Sequence, residues 1–359
     1  MKVGIFGGAF NPPHIGHVQA AKNAIFEKTL DLLIVIPTGI SPHKTMPDTA
    51  PSPAMRLHMT KNAFKDIDKV SVSDMEIYSE VSNYTIDTIH KVQKEYPGAE
   101  LFLLVGNDMY DSLDTWKNSS ELLLAVTPVL LPRDVIEISS TKIRELLPER
   151  EGVEYLNEAN YSLIIKHRLY RAKPNWDWLR HEAYSLLDTH RIPHVKACEV
   201  AAVELAERWS VDICEAREAA ILHDITKKLD FNENICIMVK HGFSTNNYNN
   251  SNAKLLHAYT AAILANEKFG VSGTVANAIR SHTTGCAGMS MLDKVVYIAD
   301  YIESTRDFPG VTLMRQMAFE NIDRAMIMGL EMVVENLISR EIIPDESTYN
   351  ALRDLGVSK

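Results

Sequence analysis

The stretch VGIFGGAFNPPHIGHV, residues 3–18, sets the architecture of the first part of this chain. An apolar run ends at Gly7 and Gly8, two prolines follow, and a helical pattern begins near His14 and carries His17. Glycines let a backbone approach an anion closely, and the amides and positive dipole end of the next helix face that anion. This order predicts a buried strand, a phosphate-sized turn and a helix start.

His14 and His17 are close enough in sequence for the first helical turn to place both on one face, where they can reach the same phosphate. No serine or cysteine nucleophile accompanies them. We therefore infer direct phosphoryl-type transfer, with imidazoles and amides stabilising the charged transition state. The alternative is a glycine turn with two solvated histidines, and the spacing Pro-x-His-x-Gly-His after a buried strand favours function.

Length and composition limit the classes of protein to which this chain can belong. At 359 residues the chain can form two domains with separate cores, and its apolar share of 46% excludes wholesale disorder. The net charge of -10 argues against a general binder of nucleic acid or membrane surfaces. No apolar run is long enough to cross a bilayer and no signal peptide is evident, so we expect a cytoplasmic protein. The four cysteines form no CxxC pair, which favours reduced core or surface thiols over disulfides or a zinc site.

Two further apolar runs, DLLIVIPTG at 31–39 and ELFLLVG at 100–106, indicate buried parallel strands. Together with the opening unit they predict a doubly wound parallel α/β sheet with ligands at the carboxyl ends of its strands. Asp108 and Trp116 follow the second run, where ligand residues gather. The Trp116 indole could stack on a flat heterocycle or pack in the core, and the sequence leaves both open.

Basic and hydroxyl side chains occur at other predicted loops. His43, Lys44 and Arg56 are suited to a phosphate acceptor, although solvation is the simpler explanation for Lys44 and Arg56 taken alone. Thr85 is a candidate helix cap.

The segment ISSTKIREL, residues 138–146, indicates a second phosphate clamp. Its hydroxyl residues Ser139, Ser140 and Thr141 can cap a helix and bond phosphate oxygens. Arg144 lies one turn inside, on the same side. A plain capping motif with a surface arginine is the alternative, and the histidine motif makes the clamp the better interpretation.

This combination resembles the bacterial nicotinate mononucleotide adenylyltransferases, a branch of the HxGH nucleotidylyltransferase superfamily, over residues 1 to about 172. The matching positions are GGAFNPPHIGH at 7–17, PHK at 42–44, Arg56, NYTIDT at 83–88, GNDM at 106–109, Trp116, ISSTKIR at 138–144 and the closing NYSLIIKHRLY. The resemblance implies a Rossmann-like domain that transfers AMP from ATP to nicotinate mononucleotide with Mg²⁺. The products are deamido-NAD and pyrophosphate, in pyridine nucleotide (NAD) biosynthesis.

The resemblance also implies roles for individual residues. Those that would bind ATP are Gly7, Gly8, Phe10, His14, His17, Ser139, Ser140, Thr141 and Arg144, with His14, His17 and Arg144 catalytic. Those that would contact nicotinate mononucleotide are His43, Lys44, Arg56, Thr85, Asp108 and Trp116. The chain departs from the family at Ala9, where a hydroxyl residue is more common, and in a shortened segment between Arg133 and Ile138.

The second half of the chain is almost continuously helical in its periodicity, with apolar faces in segments such as KACEVAAVELAERW at 196–209. Before it, AKPNWDWLR at 172–180 holds a proline and two tryptophans, which suggest a short interdomain connection. We predict domains at 1–172 and 181–359, with a linker at 173–180.

Histidines and aspartates recur singly through this helical region, as in helical bundles that bind metals. His223 and Asp224 interrupt an apolar run where both would be buried, and a buried carboxylate must be paired or coordinate a metal. A metal centre is therefore favoured over satisfied core residues. The set is His194, His223, Asp224, His257, His282 and Asp300.

The pattern resembles the all-α HD phosphohydrolase superfamily, and most closely its bacterial symmetrical diadenosine tetraphosphate hydrolases, over residues 180–330. The matching segments are RIPHV at 191–195, ILHDITK at 221–227, LLHA at 255–258, SHTTG at 281–285 and LDKVVYIADYIESTR at 292–306. The resemblance implies two divalent metals, iron with manganese as an alternative. One would be held by His194, His223, Asp224 and Asp300, with Asp224, a catalytic residue, bridging to a second held by His257 and His282. Two metals suit phosphoanhydride hydrolysis, and Lys227 and Arg306 are candidate phosphate contacts or solvated charges.

The two resemblances together predict a bifunctional enzyme, an adenylyltransferase followed by a hydrolase that cuts diadenosine tetraphosphate into two ADP. Its partners would be small nucleotides, with neither nucleic acid nor membrane, and homo-oligomerisation stays open. One alternative keeps both folds with another acceptor phosphate and another phosphoester. Another makes one half a silent nucleotide sensor.

Overall fold

The structure is a computed structural model that describes residues 1–40, 46–47, 50–79, 81–131, 138–245 and 253–357, and for Asp108 the backbone alone. No helix in these ranges is long and apolar enough to span a bilayer.

The chain divides into two compact units, Met1–Asn175 and Trp176–Lys359. The domain limits drawn from the sequence stay a prediction. Both tryptophans of the predicted linker lie in a helix that begins at Trp176.

Strands and helices alternate in the first unit. They are β1 (Lys2–Gly8), α1 (Ile15–Glu27), β2 (Leu32–Pro37), α2 (Pro53–Phe64), β3 (Val70–Val72), α3 (Thr85–Glu95), β4 (Glu100–Gly106), α4 (Asn107–Tyr110), α5 (Ser119–Ala125), β5 (Thr127–Leu131), α6 (Ser140–Leu146) and α7 (Glu158–Lys166). The described strands form one parallel sheet in the order β3-β2-β1-β4-β5. This confirms the predicted doubly wound α/β architecture.

Strand β1 lies at the centre of the sheet, with Ile5 opposite Ile34 of β2 and Leu103 of β4. Ile5 belongs to one core cluster and Phe6 to the other, because successive side chains of a strand point to opposite faces. The strand is therefore apolar on both faces, as buried parallel strands are. The chain continues from β1 to one side and from β4 to the other, so the strand order reverses here and favours a ligand site beyond their carboxyl ends.

One sequence-based expectation fails at α3. Tyr84 occupies the position before the helix, and no side chain caps it. Thr85 is already the first helical residue, so the prediction that Thr85 is the cap is wrong.

The second unit is helical throughout its described residues, apart from connecting turns. Its helices are α8 (Trp176–Ser185), α9 (Ile192–Trp209), α10 (Ile213–Leu222), α11 (Phe231–Lys240), α12 (Leu256–Phe269), α13 (Gly273–Ser281), α14 (Met291–Ile302), α15 (Val311–Glu320), α16 (Ile322–Ser339) and α17 (Glu346–Asp354). Their core is rich in alanine, for example Ala202, Ala219 and Ala261, which are fully buried. Small side chains let the helices approach closely, and this brings polar residues of different helices within contact of one another.

Candidate functional site

The loop after β1 carries the two histidines of the opening motif. His14 immediately precedes α1 and His17 lies in its first turn, with 3.8 Å between the ring centroids. The backbone N–H of His14 donates to His17 Nδ1 over 3.2 Å. A neutral imidazole that accepts at Nδ1 carries its proton on Nε2, so His17 keeps a donor for a ligand. The structure thus brings both predicted residues together at a helix N-terminus.

The glycine between them has a steric reason. A Cβ atom on Gly16 would lie 3.0 Å from His14 Nδ1, closer than an unstrained contact allows. His14 Nδ1 is buried and has no hydrogen-bond partner among the described residues. Burial lowers the pKa of His14 to about 4, and burial together with His14 lowers that of His17 well below its usual value. Both rings are therefore neutral hydrogen-bonding groups at neutral pH rather than fixed cations.

Arg56 holds the same loop from the opposite side. Its guanidinium donates to the Ala9 carbonyl oxygen over 2.7 Å and to the Gly39 carbonyl oxygen over 3.2 Å. Arg56 is 1% exposed, so its interpretation as a solvated surface charge is wrong. A buried arginine with two carbonyl partners positions the loops after β1 and β2.

Helix α6 contacts the loop after β1 through its first two turns. Ser139 caps the helix by accepting from the Lys142 N–H over 3.1 Å, as predicted. Ser140 Oγ donates to the Pro12 carbonyl oxygen over 2.9 Å. The two predicted phosphate segments, far apart in sequence, are therefore in direct contact.

Arg144 adds to this junction. Its guanidinium donates to the Asn11 carbonyl oxygen over 2.7 Å and to Thr141 Oγ1 over 3.0 Å. A guanidinium has five N–H donors, and Arg144 is only partly buried, so donors remain for a phosphate.

The remaining predicted ligands of the first unit lie in varied settings. Gly7 has open space where a side chain would be, and Gly8 lies against the Phe10 ring. That ring is itself buried against Phe6 and Phe64.

Trp116 is 9% exposed and packs with the apolar side chains of α3, which favours its packing role. His43 and Lys44 lie outside the described residues, as do the side chain of Asp108 and the short segment before Ile138.

A buried carboxylate forms the centre of the second unit. Asp224 follows α10 and is fully buried. Its Oδ2 lies 3.3 Å from His223 Nε2 and 3.8 Å from His194 Nε2. Its Oδ1 lies 3.1 Å from His257 Nε2 and 3.6 Å from His282 Nε2.

Asp300 completes the predicted set, with Oδ1 3.2 Å from His194 Nε2. The six residues come from α9, α12 and α14 and from the ends of α10 and α13. The structure therefore brings together the whole set proposed from the sequence.

The histidines face this centre through the same ring atom. His223, His257 and His282 each place Nδ1 against the carbonyl oxygen of the residue three positions earlier. His194 instead places Nδ1 3.0 Å from Glu303 Oε1. Because carbonyls and carboxylates only accept, each Nδ1 carries the proton and each Nε2 presents a lone pair. This outer arrangement is typical of histidines that ligate metals.

The donor set fits a cation. His194 Nε2 lies 3.3 Å from His223 Nε2, and His257 Nε2 lies 3.1 Å from His282 Nε2. Lone pairs that face each other at such distances, beside a buried carboxylate, need a positive charge between them. Nitrogen and carboxylate ligands in this number suit Zn²⁺, Fe²⁺ or Mn²⁺.

Three cationic side chains border the same carboxylates. Lys227 Nζ lies 2.9 Å from His257 Nε2 and 3.6 Å from Asp224 Oδ1. Arg191 Nε donates to Asp224 Oδ2 over 2.6 Å, and Arg306 forms an ion pair with Asp300. Neither Lys227 nor Arg306 is an isolated solvated charge.

Comparison with known proteins follows this division. Residues 5–146 match the model of the family described as Cytidylyltransferase-like, and residues 191–305 match that of the HD domain. A probable nicotinate-nucleotide adenylyltransferase of Halalkalibacterium halodurans is 36% identical over 174 residues, which cover 43% of this chain and 84% of that protein. The chain belongs to the nicotinate-nucleotide adenylyltransferase family. Its first unit is a nucleotidyltransferase of NAD biosynthesis, and its second unit carries an HD hydrolase domain.

One further relative spans both units, and one solved structure resembles about half of the chain. A Mycoplasma genitalium protein named probable nicotinate-nucleotide adenylyltransferase/Ap4A hydrolase is 27% identical over 352 residues, covering 94% of this chain and 99% of that protein. A crystal structure from Clostridium acetobutylicum, described as that of a predicted HD superfamily hydrolase involved in NAD metabolism, is 32% identical, with a TM-score of 0.48 over 50% of this chain and 96% of that structure.

This adenylyltransferase chain also uses residues that the sequence interpretation gave no role. Tyr170 donates to Asn11 Oδ1 in the loop after β1, and its backbone φ of 58° is uncommon for a bulky residue. Arg191 and Glu303 contact predicted metal ligands directly. The only signal available for these residues was their place inside or beside a motif.

Proposed function

We propose that the chain is a bifunctional enzyme. The first unit transfers AMP from ATP to nicotinate mononucleotide, and the second hydrolyses diadenosine tetraphosphate symmetrically to two ADP at a centre of two divalent metals. The full-length relative from Mycoplasma genitalium, whose name joins the two activities, supports this pairing.

The loop between β1 and α1 supports the first activity. In the transfer, an oxygen of the nicotinate mononucleotide phosphate bonds to the α-phosphorus of ATP, the α–β anhydride bond breaks and pyrophosphate leaves. His17 Nε2–H, the amides of the α1 N-terminus and the remaining donors of Arg144 would hold the oxygens on which negative charge develops. Arg56, Ser140 and Tyr170 hold the loop in place for this role. Mg²⁺ with ATP stays a prediction.

The convergence of four Nε2 atoms on Asp224 is the observation that carries the second activity. His194, His223, Asp224 and Asp300 would hold one metal, and Asp224, His257 and His282 the second. Bound metals would supply an activated water and positive charge for the phosphate oxygens. The water oxygen bonds to one inner phosphorus, the central anhydride bond breaks, and one water with one tetraphosphate gives two ADP.

Lys227 and Arg306 would bind the phosphate chain in this unit. Both already pair with carboxylates or imidazoles of the centre, which places them at its border. Metal charge would compensate those same groups and leave the two cations available for substrate. Iron, with manganese as an alternative, stays our expectation for the metal.

Two variants of the full-length protein separate the activities. We expect His17→Ala to lose pyrophosphate release from ATP and nicotinate mononucleotide while it still converts diadenosine tetraphosphate to ADP. Asp224→Ala should show the reverse pattern. Each variant is thus the folded control for the other.

The products and substrates decide between this proposal and its alternatives. AMP with ATP as products, or no cleavage with iron or manganese, would rule out symmetrical hydrolysis. If nicotinamide mononucleotide were turned over as fast as nicotinate mononucleotide, the assignment of nicotinate mononucleotide as the specific acceptor would be rejected. ATP binding by calorimetry without pyrophosphate release would make the first unit a sensor.

A further inference from the structure

Cys198 lies inside the metal centre of the second unit. It follows His194 by one helical turn on α9, so both side chains project from the same face of that helix. Cys198 is 1% exposed, and its Sγ lies 3.4 Å from His194 Nε2. Sγ and one ligand atom each from His194, His223 and Asp300 all lie within 4.8 Å of one another.

The distances from His194 Nε2 correspond to the edges of a metal coordination shell. Ligands held 2.0–2.3 Å from a tetrahedral Zn²⁺ lie about 3.3–3.6 Å apart. His194 Nε2 lies 3.4 Å from Cys198 Sγ, 3.3 Å from His223 Nε2 and 3.2 Å from Asp300 Oδ1. The other pairs among these four atoms lie within 4.8 Å, so one ion between them could contact all four once the wider pairs draw together, with Asp224 as a further ligand.

No motif in the sequence separates Cys198 from the other three cysteines. The lack of a CxxC pair predicts reduced core or surface thiols, and the four cysteines are free in the structure. The environment of Cys198 is nevertheless unlike that of the exposed Cys214 and Cys236, because two imidazoles and a carboxylate share it. Imidazole and carboxylate groups are common metal ligands in proteins, so the thiol does not stand alone.

We propose that Cys198 is a metal ligand, which makes the His194, His223 and Asp300 sub-site a thiolate site. The Nε2 atoms of His257 and His282 lie 3.1 and 3.6 Å from Asp224 Oδ1, so this second sub-site offers only nitrogen and oxygen ligands and is chemically harder than the thiolate sub-site. Thiolate favours Zn²⁺ or Co²⁺ over Mn²⁺ at the first position. This inference rests on the metal centre proposed above but not on its substrate.

Cobalt substitution tests the inference without measuring activity. Full-length protein loaded with Co²⁺ should show a near-ultraviolet sulfur-to-cobalt charge-transfer band in addition to its d–d bands. Cys198→Ser should keep the d–d bands and lose the charge-transfer band. Cys286→Ser is the matched control, since Cys286 is a partly buried cysteine of the same unit outside the cluster, and it should behave like the parent protein.

X-ray absorption of the zinc-loaded parent protein gives a second test that needs no variant. A sulfur scatterer at about 2.3 Å is expected.

A chelator competition compares the zinc affinities of Cys198→Ser and the parent protein. The variant should bind zinc about 10-fold or more weakly, at least the loss seen when an outer-sphere partner of a ligand is removed.

The outcomes separate this inference from the proposed function. Bound cobalt without a charge-transfer band, or a band that survives in Cys198→Ser, overturns the assignment of Cys198. A protein that takes up no divalent metal overturns both this assignment and the proposed centre. If the band depends on Cys198 but the protein leaves diadenosine tetraphosphate intact, the assignment of Cys198 as a metal ligand is supported. Only the substrate assignment is then rejected.

Discussion

The hydroxyl of Tyr170 donates a hydrogen bond to Asn11 Oδ1 over 2.7 Å, and both side chains are buried. Asn11 lies in the loop after β1, whereas Tyr170 follows α7 near the end of the first unit. Arg144 donates to the carbonyl oxygen of the same Asn11. Two elements from the last part of the unit therefore fix the loop that carries His14 and His17.

Replacing Tyr170 by phenylalanine should impair catalysis through this loop. The change leaves the buried Asn11 Oδ1 without its donor, and such a loss costs about 1–3 kcal/mol. Small displacements of positioned groups reduce rates strongly, so we expect kcat for adenylyl transfer to fall by about 10-fold or more. Initial rates of pyrophosphate release measure this effect.

Tyr161→Phe is the matched control. The Tyr161 hydroxyl is also buried and accepts from the Asn175 N–H over 2.7 Å, away from the loop after β1. We expect a comparable loss of stability with an unchanged kcat. An equal fall in kcat for both variants would show that general destabilisation, and not loop position, explains the result.

Gly7→Ala should show whether glycine at this position is required for stability or for ATP binding. A Cβ at Gly7 meets nothing within 4 Å, so the free energy of unfolding should change by no more than about 0.5 kcal/mol. If glycine is present to let phosphate approach, the KM for ATP should rise by about 10-fold or more. Gly273→Ala in the other unit, where a Cβ is equally free, should change neither quantity. An unchanged KM in Gly7→Ala would contradict close phosphate approach at this residue.

His14 should make the first unit sensitive to acid. Its pKa is lowered from 6.5 to about 4 by burial, so between these values the unfolded chain binds a proton that the folded chain does not. Its contribution to stability is therefore complete above pH 6.5 and disappears as the pH falls towards 4. A shift of this size corresponds to about 2 kcal/mol lost by about pH 5.

Native-state hydrogen exchange of β1 peptides follows this unit by itself. The parent protein should lose more protection than His14→Asn between neutral pH and about pH 5. Parallel pH dependence in the two proteins would contradict a neutral, buried His14.

The sequence was sufficient for the architecture because the central strands are apolar along their whole length. The runs ending at Gly8 and Pro37 indicated buried parallel strands, which the pairing of β1 with β2 confirms. The glycine turn predicted a ligand site at the carboxyl edge of the sheet. In the second unit, His223 and Asp224 could be placed because two polar residues interrupt an apolar face.

Other contacts have no periodic signal. Tyr170 and Asn11 pair across most of the first unit, and nothing in either segment specifies the other. Arg56 resembles any helical surface arginine until the loops after β1 and β2 enclose it. Cys198 lies one helical turn after His194, but this spacing indicates a metal ligand only once the fold brings Asp300 close to both side chains.

Glu303→Gln should weaken metal binding without removing a ligand. Glu303 Oε1 accepts from His194 Nδ1 over 3.0 Å, which fixes the ring with Nε2 towards the centre. Loss of such an outer partner lowers metal affinity by about 10–100-fold. Chelator competition with Zn²⁺ measures this change. Glu199→Gln, which alters a buried carboxylate paired with Arg180, should leave the affinity unchanged, and equal losses in the two variants would contradict an orienting role.

Lys227→Met should affect metal and substrate in opposite directions. Lys227 Nζ lies 2.9 Å from His257 Nε2, whose lone pair a metal would need, so the ammonium and the metal compete. Removing the ammonium should raise the affinity for the second metal by about 5-fold or more, as loss of like-charge repulsion predicts. The same variant lacks a phosphate contact, and its KM for diadenosine tetraphosphate should rise by about 10-fold. Metal titration and steady-state ADP formation measure the two effects, with the exposed neighbour Lys228→Met as the control for lost charge. Weaker metal binding together with an unchanged KM would show that Lys227 supports the metal site itself and does not bind the phosphate chain.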